Sequence, residues 1–171
     1  TGNRSPAKLA APHGAYRCTG EDRWIAIAIT NEDEWRALVQ QMGSPAWAQH
    51  DRFATLSVRV QHQDELDALV TAWTKDQDPF ALQERLQKAG VPAGVCQTAQ
   101  DRIERDPQLR HLQWLIPLPH SEIGVWPVKD VPFHFTNGTV NQGGPTERAA
   151  PCYGEDSDYV YGELLKLTKK E

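Results

Sequence analysis

Two strand-like runs, Ala15-Tyr16-Arg17-Cys18 and Trp24-Ile25-Ala26-Ile27-Ala28-Ile29, flank the turn-forming segment Thr19-Gly20-Glu21-Asp22. The pattern predicts a β-hairpin over residues 14–29. The second run is apolar at nearly every position, so the expectation is a core strand covered on both faces rather than one with a wet side. Beyond it the period lengthens. Trp35, Leu38, Val39 and Met42 follow at i, i+3, i+4 and i+7, with Asn31 as N-cap, Glu34 as capping-box partner and Gly43 as left-handed stop. Leu66, Leu69, Val70 and Trp73 mark an amphipathic helix over Gln63 to Thr74, and Asp64, Glu65 and Asp67 sit in its first turn, where the helix dipole favours negative charge. Asp78-Pro79 opens a further helix carrying Phe80, Leu82, Leu86 and Ala89, which Gly90 ends.

The remaining stretches are shorter and more broken. Thr1 to His13, with Pro6 and Pro12, reads as a linker or lid loop, and Ser44 to Arg59 as a mixed polar connection anchored by Phe53 and Leu56, with Pro45-Ala46-Trp47 as a candidate start of a short helix. Residues 90–96 form a turn into a short strand. Thr98-Ala99-Gln100-Asp101 caps a short helix that must end near Asp106-Pro107, because the residue before proline is pushed out of the helical region. Trp114 to Leu118, Gly124 to Val128 and Pro132 to Thr136 read as short strands, kept from sheet centres by Pro117, Pro119, Pro127 and Pro132. Asn137 to Pro151 is rich in Gly, Pro, Asn and Thr without apolar period, and a helix from about Ser157 carries Tyr159, Val160, Leu164, Leu165 and Leu167. The expected fold class is α+β (α/β): a short, mainly antiparallel sheet packed by helices over 14–136, then an extended linker and a C-terminal helix over 137–171.

Composition narrows the partners. A chain of 171 residues suits one core, since a compact domain of this size buries about 70% of its unfolded surface. The net charge of −5 and scattered basic residues argue against a nucleic-acid partner, which needs clustered Lys and Arg to neutralise phosphates. No apolar run approaches the roughly 20 residues that span a bilayer, so no membrane partner is expected. Cys18, Cys96 and Cys152 lie far apart without CxxC spacing, which suits a reducing cytoplasm better than a disulfide framework. The chain starts without Met in a polar stretch, and the expectation is a piece of something longer.

Chemistry-bearing residues are plentiful but form no motif. Most acidic groups coincide with helix starts, where capping explains them more simply than an acid–base pair does. The six His residues include no HxxxH or HExxH, and no metal is expected; no GxSxG, phosphate loop or GxGxxG is present either. Arg17 beside Cys18 would lower a thiol pKa, whereas an unpaired cysteine in a strand more simply fills the core.

The order and local sequence of several stretches carry a resemblance: Ala11-Pro12-His13-Gly14-Ala15-Tyr16-Arg17-Cys18, Asp22-Arg23-Trp24-Ile25-Ala26-Ile27-Ala28, Ala89-Gly90-Val91-Pro92-Ala93-Gly94-Val95, Asp106-Pro107-Gln108-Leu109 and Ala150-Pro151-Cys152-Tyr153-Gly154-Glu155. Together the chain resembles the C-terminal part of the class III CoA-transferases, a family that also holds the α-methylacyl-CoA racemases. The resemblance implies a small α/β domain followed by a tail that returns to a large domain, and two chains interlocked as a homodimer. It implies an acyl-CoA thioester and a carboxylic acid as substrates, with CoA carried as substrate and no covalently bound cofactor. The family's nucleophilic Asp lies on the N-terminal half and matches no position here, so no catalytic residue is assigned and this chain by itself is expected to be inactive. Where formyl-CoA transferases carry a glycine-rich lid, residues 3–13 read Asn-Arg-Ser-Pro-Ala-Lys-Leu-Ala-Ala-Pro-His, which speaks against a formyl-type substrate. The place of the racemases' acidic residue falls nearest Asn31, which cannot shuttle a proton, with Glu32 beside it. The candidate substrate-binding residues are His13 at the lid position and Asn31 at the strand end, with an N-cap as the plainer reading of Asn31. Three readings stay open: a transferase part, a racemase or isomerase part, and a non-catalytic docking module.

Overall fold

The computed structural model describes residues 9–129 and 148–168, and the chain divides into two compact units between Cys96 and Gln97. The break falls inside the 14–136 stretch that the sequence reads as one domain. Each unit combines helices with a short antiparallel sheet, as the α+β reading expects.

In the first unit β1 (His13–Arg17), β2 (Trp24–Ala28) and β3 (Ala93–Val95) form an antiparallel sheet in the order β1-β2-β3. Tyr16 faces Ile25, Ala15 faces Ala26, and Ala26 in turn faces Gly94. The hairpin closes through Cys18 N–H donating to the Arg23 carbonyl at 2.8 Å. Gly20 takes φ +102° there, a conformation that strains any residue with a Cβ. The expected two-sided cover of β2 is corrected by the structure. Ile25 and Ile27 are buried, but Ala26 between them is exposed. The helices cover one face of the sheet, so the strand's alternate residues meet solvent; an alanine there reads as apolar in sequence yet has too little surface to demand burial.

Four helices build the cover: α1 (Glu32–Gln41), α2 (Leu56–Gln61), α3 (Gln63–Thr74) and α4 (Pro79–Lys88). Leu38, Leu66, Val70, Leu82, Leu86 and Val91 pack with Tyr16, Ile25 and Ile27 in one core, where each large aliphatic side chain contributes about 1.5–3 kcal/mol by leaving water. Asn31 caps α1, its Oδ1 accepting from Glu34 N–H at 2.9 Å. Glu34 reaches back one residue further than a capping box, to Thr30 N–H at 2.7 Å. Thr74, buried at the end of α3, donates through Oγ1 to the Arg17 carbonyl at 2.8 Å, and Thr19 N–H donates to the Gln77 carbonyl at 3.0 Å, so that helix end clasps the hairpin. Ser44 to Arg59 opens a short helical turn after Pro45, where the sequence offers one, and is otherwise more ordered than its polar sequence suggests. It forms two short 3₁₀ turns, Ala46–Gln49 and Asp51–Phe53, and then α2. Trp47 packs edge-on to Phe53 at 5.6 Å and lies 6.5 Å from Trp35.

The second unit contains α5 (Ala99–Glu104), α6 (Pro107–His111) and the antiparallel hairpin of β4 (Leu115–His120) and β5 (Gly124–Lys129). Thr98 and Asp101 form the expected capping box, and Asp106 accepts from Leu109 N–H at 2.9 Å to start α6 at Pro107. The expected strand Pro132 to Thr136 and residues 137–147 of the expected linker Asn137 to Pro151 lie outside the described residues. The C-terminal helix is corrected in kind: Asp158–Leu164 is a widened π-type turn, with Leu165 N–H donating to the Val160 carbonyl at 3.0 Å. Tyr159, Tyr161, Leu164 and Leu165 are exposed along it. Gly162 disfavours a tight helix, and no packed face within the described residues holds one together.

Candidate functional site

The uncovered face of the three-stranded sheet is the open surface of the first unit. Cross-strand register sends Ala15, Ala26 and Gly94 to the same side, so the middle of the face carries almost no side-chain bulk. Pro92, Ala93 and Ala28 extend it into a shallow groove of about 430 Å³. His13 stands at one end, opposite Ala28, and at the other the Arg17 guanidinium lies 5.6 Å from the Trp24 ring centre, whose indole N–H donates to Asp22 at 2.8 Å. Among the described residues lining the groove, His13 is the titratable one. Such a floor accepts a flat or apolar group pressed against backbone, with an imidazole at its rim.

Of the two residues that the sequence nominates, His13 borders this groove. Asn31 does not line it, and its carboxamide oxygen is engaged by Glu34 N–H. The structure therefore does not bring the two together around one cavity. Glu32, the neighbour considered for proton transfer, is held by Arg59 Nη1 at 2.8 Å and by Leu56 N–H at 2.7 Å. Burial is the largest single influence on its carboxyl and pushes the pKa up. The Arg59 hydrogen bond, the Leu56 N–H and the charges of Arg59 and Arg36 together outweigh it and hold the group below the ordinary glutamate range.

Arg59 is the residue that sequence reasoning missed. Its side chain is fully buried, Nε donates to the Ala11 carbonyl at 3.1 Å, Nη1 also donates to the Phe53 carbonyl at 3.1 Å, and the guanidinium lies 4.7 Å from the Trp35 ring centre. It ties the segment leading into β1 to α1 and to the turn before α2. The one sequence signal was its place between Val58 and Val60, an arginine framed by β-branched residues. Cys18 takes the bland role: it is buried, and burial first, then the negative charge of Asp78 and the neighbouring Cys96, push its thiol up to about 11. A thiol that stays protonated at neutral pH is a core side chain rather than a nucleophile.

In the second unit a separate cleft of about 460 Å³ lies among Arg102, Ile103, Leu109, Arg110, Trp114 and Leu115 to Pro117. Lys129 Nζ stands 5.4 Å from the Trp114 ring centre. Among the described residues no group of three His, Cys, Asp or Glu is placed to hold a metal ion, and no helix is long and apolar enough to cross a membrane.

Comparison with known proteins gives this geometry a context. A probable CoA-transferase of Mycobacterium tuberculosis is 34% identical over 168 residues, which are 93% of this chain and 20% of that protein. The succinyl-CoA–D-citramalate CoA-transferase of Chloroflexus aurantiacus is 32% identical over 171 residues, all of this chain and 40% of that enzyme. Among solved structures, a CaiB/BaiF family protein from Brucella suis superposes with a TM-score of 0.78 at 28% identity, over 96% of this chain and 40% of that one. The chain thus spans two-fifths or less of the length of these relatives. The profile of CoA-transferase family III matches residues 1–157, and the chain belongs to that family.

Proposed function

We propose that residues 1–171 are the C-terminal part of an enzyme that moves CoA from an acyl-CoA thioester to a carboxylic acid, with the nucleophilic Asp on a part of the protein outside this chain. The Asp carboxylate attacks the thioester carbonyl, expels CoA and forms an acyl anhydride; the CoA thiolate attacks the aspartyl carbonyl and releases the donor acid. The acceptor carboxylate attacks that aspartyl thioester and expels CoA to form a second anhydride, and CoA then attacks the acceptor's carbonyl, giving the new thioester and freeing the Asp carboxylate. The observation that carries this reading is the alignment of the whole chain with two-fifths of a succinyl-CoA–D-citramalate CoA-transferase. The exposed apolar residues Tyr159, Tyr161, Leu164 and Leu165 support a tail, within 137–171, that packs on the remainder of the protein. The bare sheet face of the small domain turns toward the acyl-CoA, with His13 as this chain's contact to it; Asn31, whose oxygen already serves the helix, is the weaker of the two substrate contacts. The complete enzyme is a cytoplasmic homodimer. A racemase part is less well supported, because its proton shuttle would have to be Glu32, a carboxylate already held by Arg59 and a backbone N–H.

The test is to express the complete gene product and this chain side by side and follow label from succinyl-CoA into a panel of carboxylic acids. Transfer by the complete protein and none by the chain is the expected result. Solvent deuterium entering the α-carbon of a 2-methylacyl-CoA without any transfer would favour the racemase reading instead. Transfer catalysed by residues 1–171 alone would overturn the placement of the nucleophile.

A further inference from the structure

The cleft in the second unit holds two guanidiniums and no carboxylate among its described lining residues, although the chain as a whole carries a net charge of −5. Arg102 comes from α5 and Arg110 from α6. The other arginines of this unit are paired: Arg105 lies 3.9 Å from Asp101, and Arg148 lies 2.7 Å from Asp156. Arg102 and Arg110 have no such partner among the described residues. The three acids on and beside the same helices are turned elsewhere. Asp101 closes the capping box with Thr98, Glu104 accepts from Gln100 Nε2 at 3.0 Å, and Asp106 accepts from Leu109 N–H and from Gln97 Nε2 at 2.8 Å. Arg110 gives one N–H to the Glu104 carbonyl at 2.9 Å. Arg102 is half-buried, and its Nε is shielded from water without an acceptor among the described residues. A buried N–H without an acceptor is rare in folded proteins, and a desolvated cation without a counter-charge is costly, so the two guanidiniums are set to take an anion.

We propose that this cleft binds a small organic anion, a carboxylate or phosphate head carried on an apolar body. Guanidiniums match either head, since each planar fork donates to two oxygens at once. The rest of the lining decides the body: Ile103, Leu109, Leu115 and Ile116 offer aliphatic walls, and Trp114 offers a ring. Lys129 Nζ, 5.4 Å from that ring's centre, adds a third positive charge. A volume of about 460 Å³ takes one small molecule, and apolar walls with a few convergent polar groups are the usual composition of such a pocket. A bare inorganic ion would leave the apolar walls in water, and a neutral apolar compound would leave the guanidiniums unanswered. The proposal holds under either reading of the catalytic chemistry, because no residue assigned to that chemistry enters it.

The experiment titrates 3-phenylpropanoate, phenyl phosphate and the neutral 3-phenylpropanamide into residues 1–171 and into the complete gene product, by isothermal titration calorimetry. At least one of the two anions is expected to bind about tenfold more tightly than the amide, and the head that binds better assigns the class of anion. Acetate and inorganic phosphate, which lack the body, are expected to bind about tenfold more weakly than their ring-bearing counterparts. Arg110→Gln, at an exposed position, and Arg102→Met, which keeps the apolar stem, should each weaken the anion about tenfold. Lys88→Gln removes an exposed cation on α4 and should leave the affinity unchanged. Far-UV circular dichroism checks the fold of each variant, and the comparison of acid with amide needs no variant at all. In the complete protein only the binding that Arg110→Gln removes is counted, which separates this cleft from any acid-binding step of catalysis. The proposal is overturned by equal binding of acid and amide, by equal binding of bare and ring-bearing anions, or by no binding at about 10 mM probe. An affinity untouched by both arginine variants, or lowered as much by Lys88→Gln, overturns it too. So does binding to residues 1–171 that the complete protein lacks, since an acidic segment of the remainder would then be the occupant.

Discussion

Replacing Arg59 with Met tests whether a buried guanidinium organises the first unit. Met keeps an unbranched apolar stem against Trp35 but removes every donor. The Ala11 and Phe53 carbonyls, at 3.1 Å from Nε and Nη1, lose their side-chain donor, and each orphaned buried acceptor costs about 1–3 kcal/mol. The ion pair with Glu32 adds less, because that carboxylate is 47% exposed and water screens it; about 0–1 kcal/mol is its share. Part of the loss is offset, since Arg59 Nη2 finds no partner among the described residues and its desolvation disappears with the substitution. The net expectation is about 3 kcal/mol of destabilisation. With a urea slope of about 2 kcal/mol/M the midpoint falls by about 1.5 M, read by tryptophan fluorescence from Trp35 and Trp47. Glu32→Gln keeps a hydrogen-bond acceptor and should cost about 1 kcal/mol at most. A midpoint for Arg59→Met within about 0.2 M of the parent would refute the reasoning. So would a Glu32→Gln variant that loses as much as Arg59→Met, because the ion pair rather than the carbonyls would then hold the segment.

Glu32 also sets a pH dependence. Its native carboxyl is held below the ordinary range, so the folded chain takes up that proton later than the unfolded one; the stabilisation is complete above about pH 4.3 and lost as pH falls through the native value. Urea midpoints taken from pH 6 down to pH 3 should fall more steeply in the parent than in Glu32→Gln, and parallel curves would contradict the direction of the shift. Asn31→Ala removes an N-cap and should cost about 1 kcal/mol in the same assay, while in the complete enzyme it leaves KM for the acyl-CoA unchanged if capping is its whole role. Ala26→Trp places a ring on the exposed face: the chain's own stability should stay within about 0.5 kcal/mol, while the complete enzyme should lose CoA transfer. Full activity in that variant would remove the bare face from the site.

Local chemistry was legible where one residue's choice decides a turn or a cap. Asn31, Asp78 and the Thr98–Asp101 pair act as their sequence places them, and Gly43 and Gly90 take the positive φ angles that their positions demand. What failed depends on which surfaces meet. The run Trp24 to Ile29 looks continuous in apolarity because alanine is counted with isoleucine, although the isoleucines are buried under the helices while Ala26 is exposed and Trp24 and Ala28 are half-buried. Arg59 was invisible because a charged residue in a polar connection reads as solvated, and its burial is determined by carbonyls at Ala11 and Phe53 that no local pattern announces. The C-terminal apolar period was visible, but helix type depends on what the stripe packs against, and nothing among the described residues meets it. Of the candidate site, His13 was nominated through family likeness, while the groove it borders came from cross-strand register, which pairs residues as far apart in sequence as Ala26 and Gly94.

The bare middle of the sheet also bears on how this surface tolerates change over time. Ala15, Ala26 and Gly94 leave the peptide groups of three strands accessible, so whatever rests there is read by main chain, which every sequence shares. A Cβ added at Gly94 would meet nothing within 4 Å, so the fold itself does not keep that position small. Drift at the surrounding helices can reshape the chain's exterior without altering the floor, but one added branch at any of the three positions raises it by the height of a side chain. If an occupant presses on this floor, it alone holds these three residues small, and its footprint will be recorded as a limit on their size rather than on their chemistry.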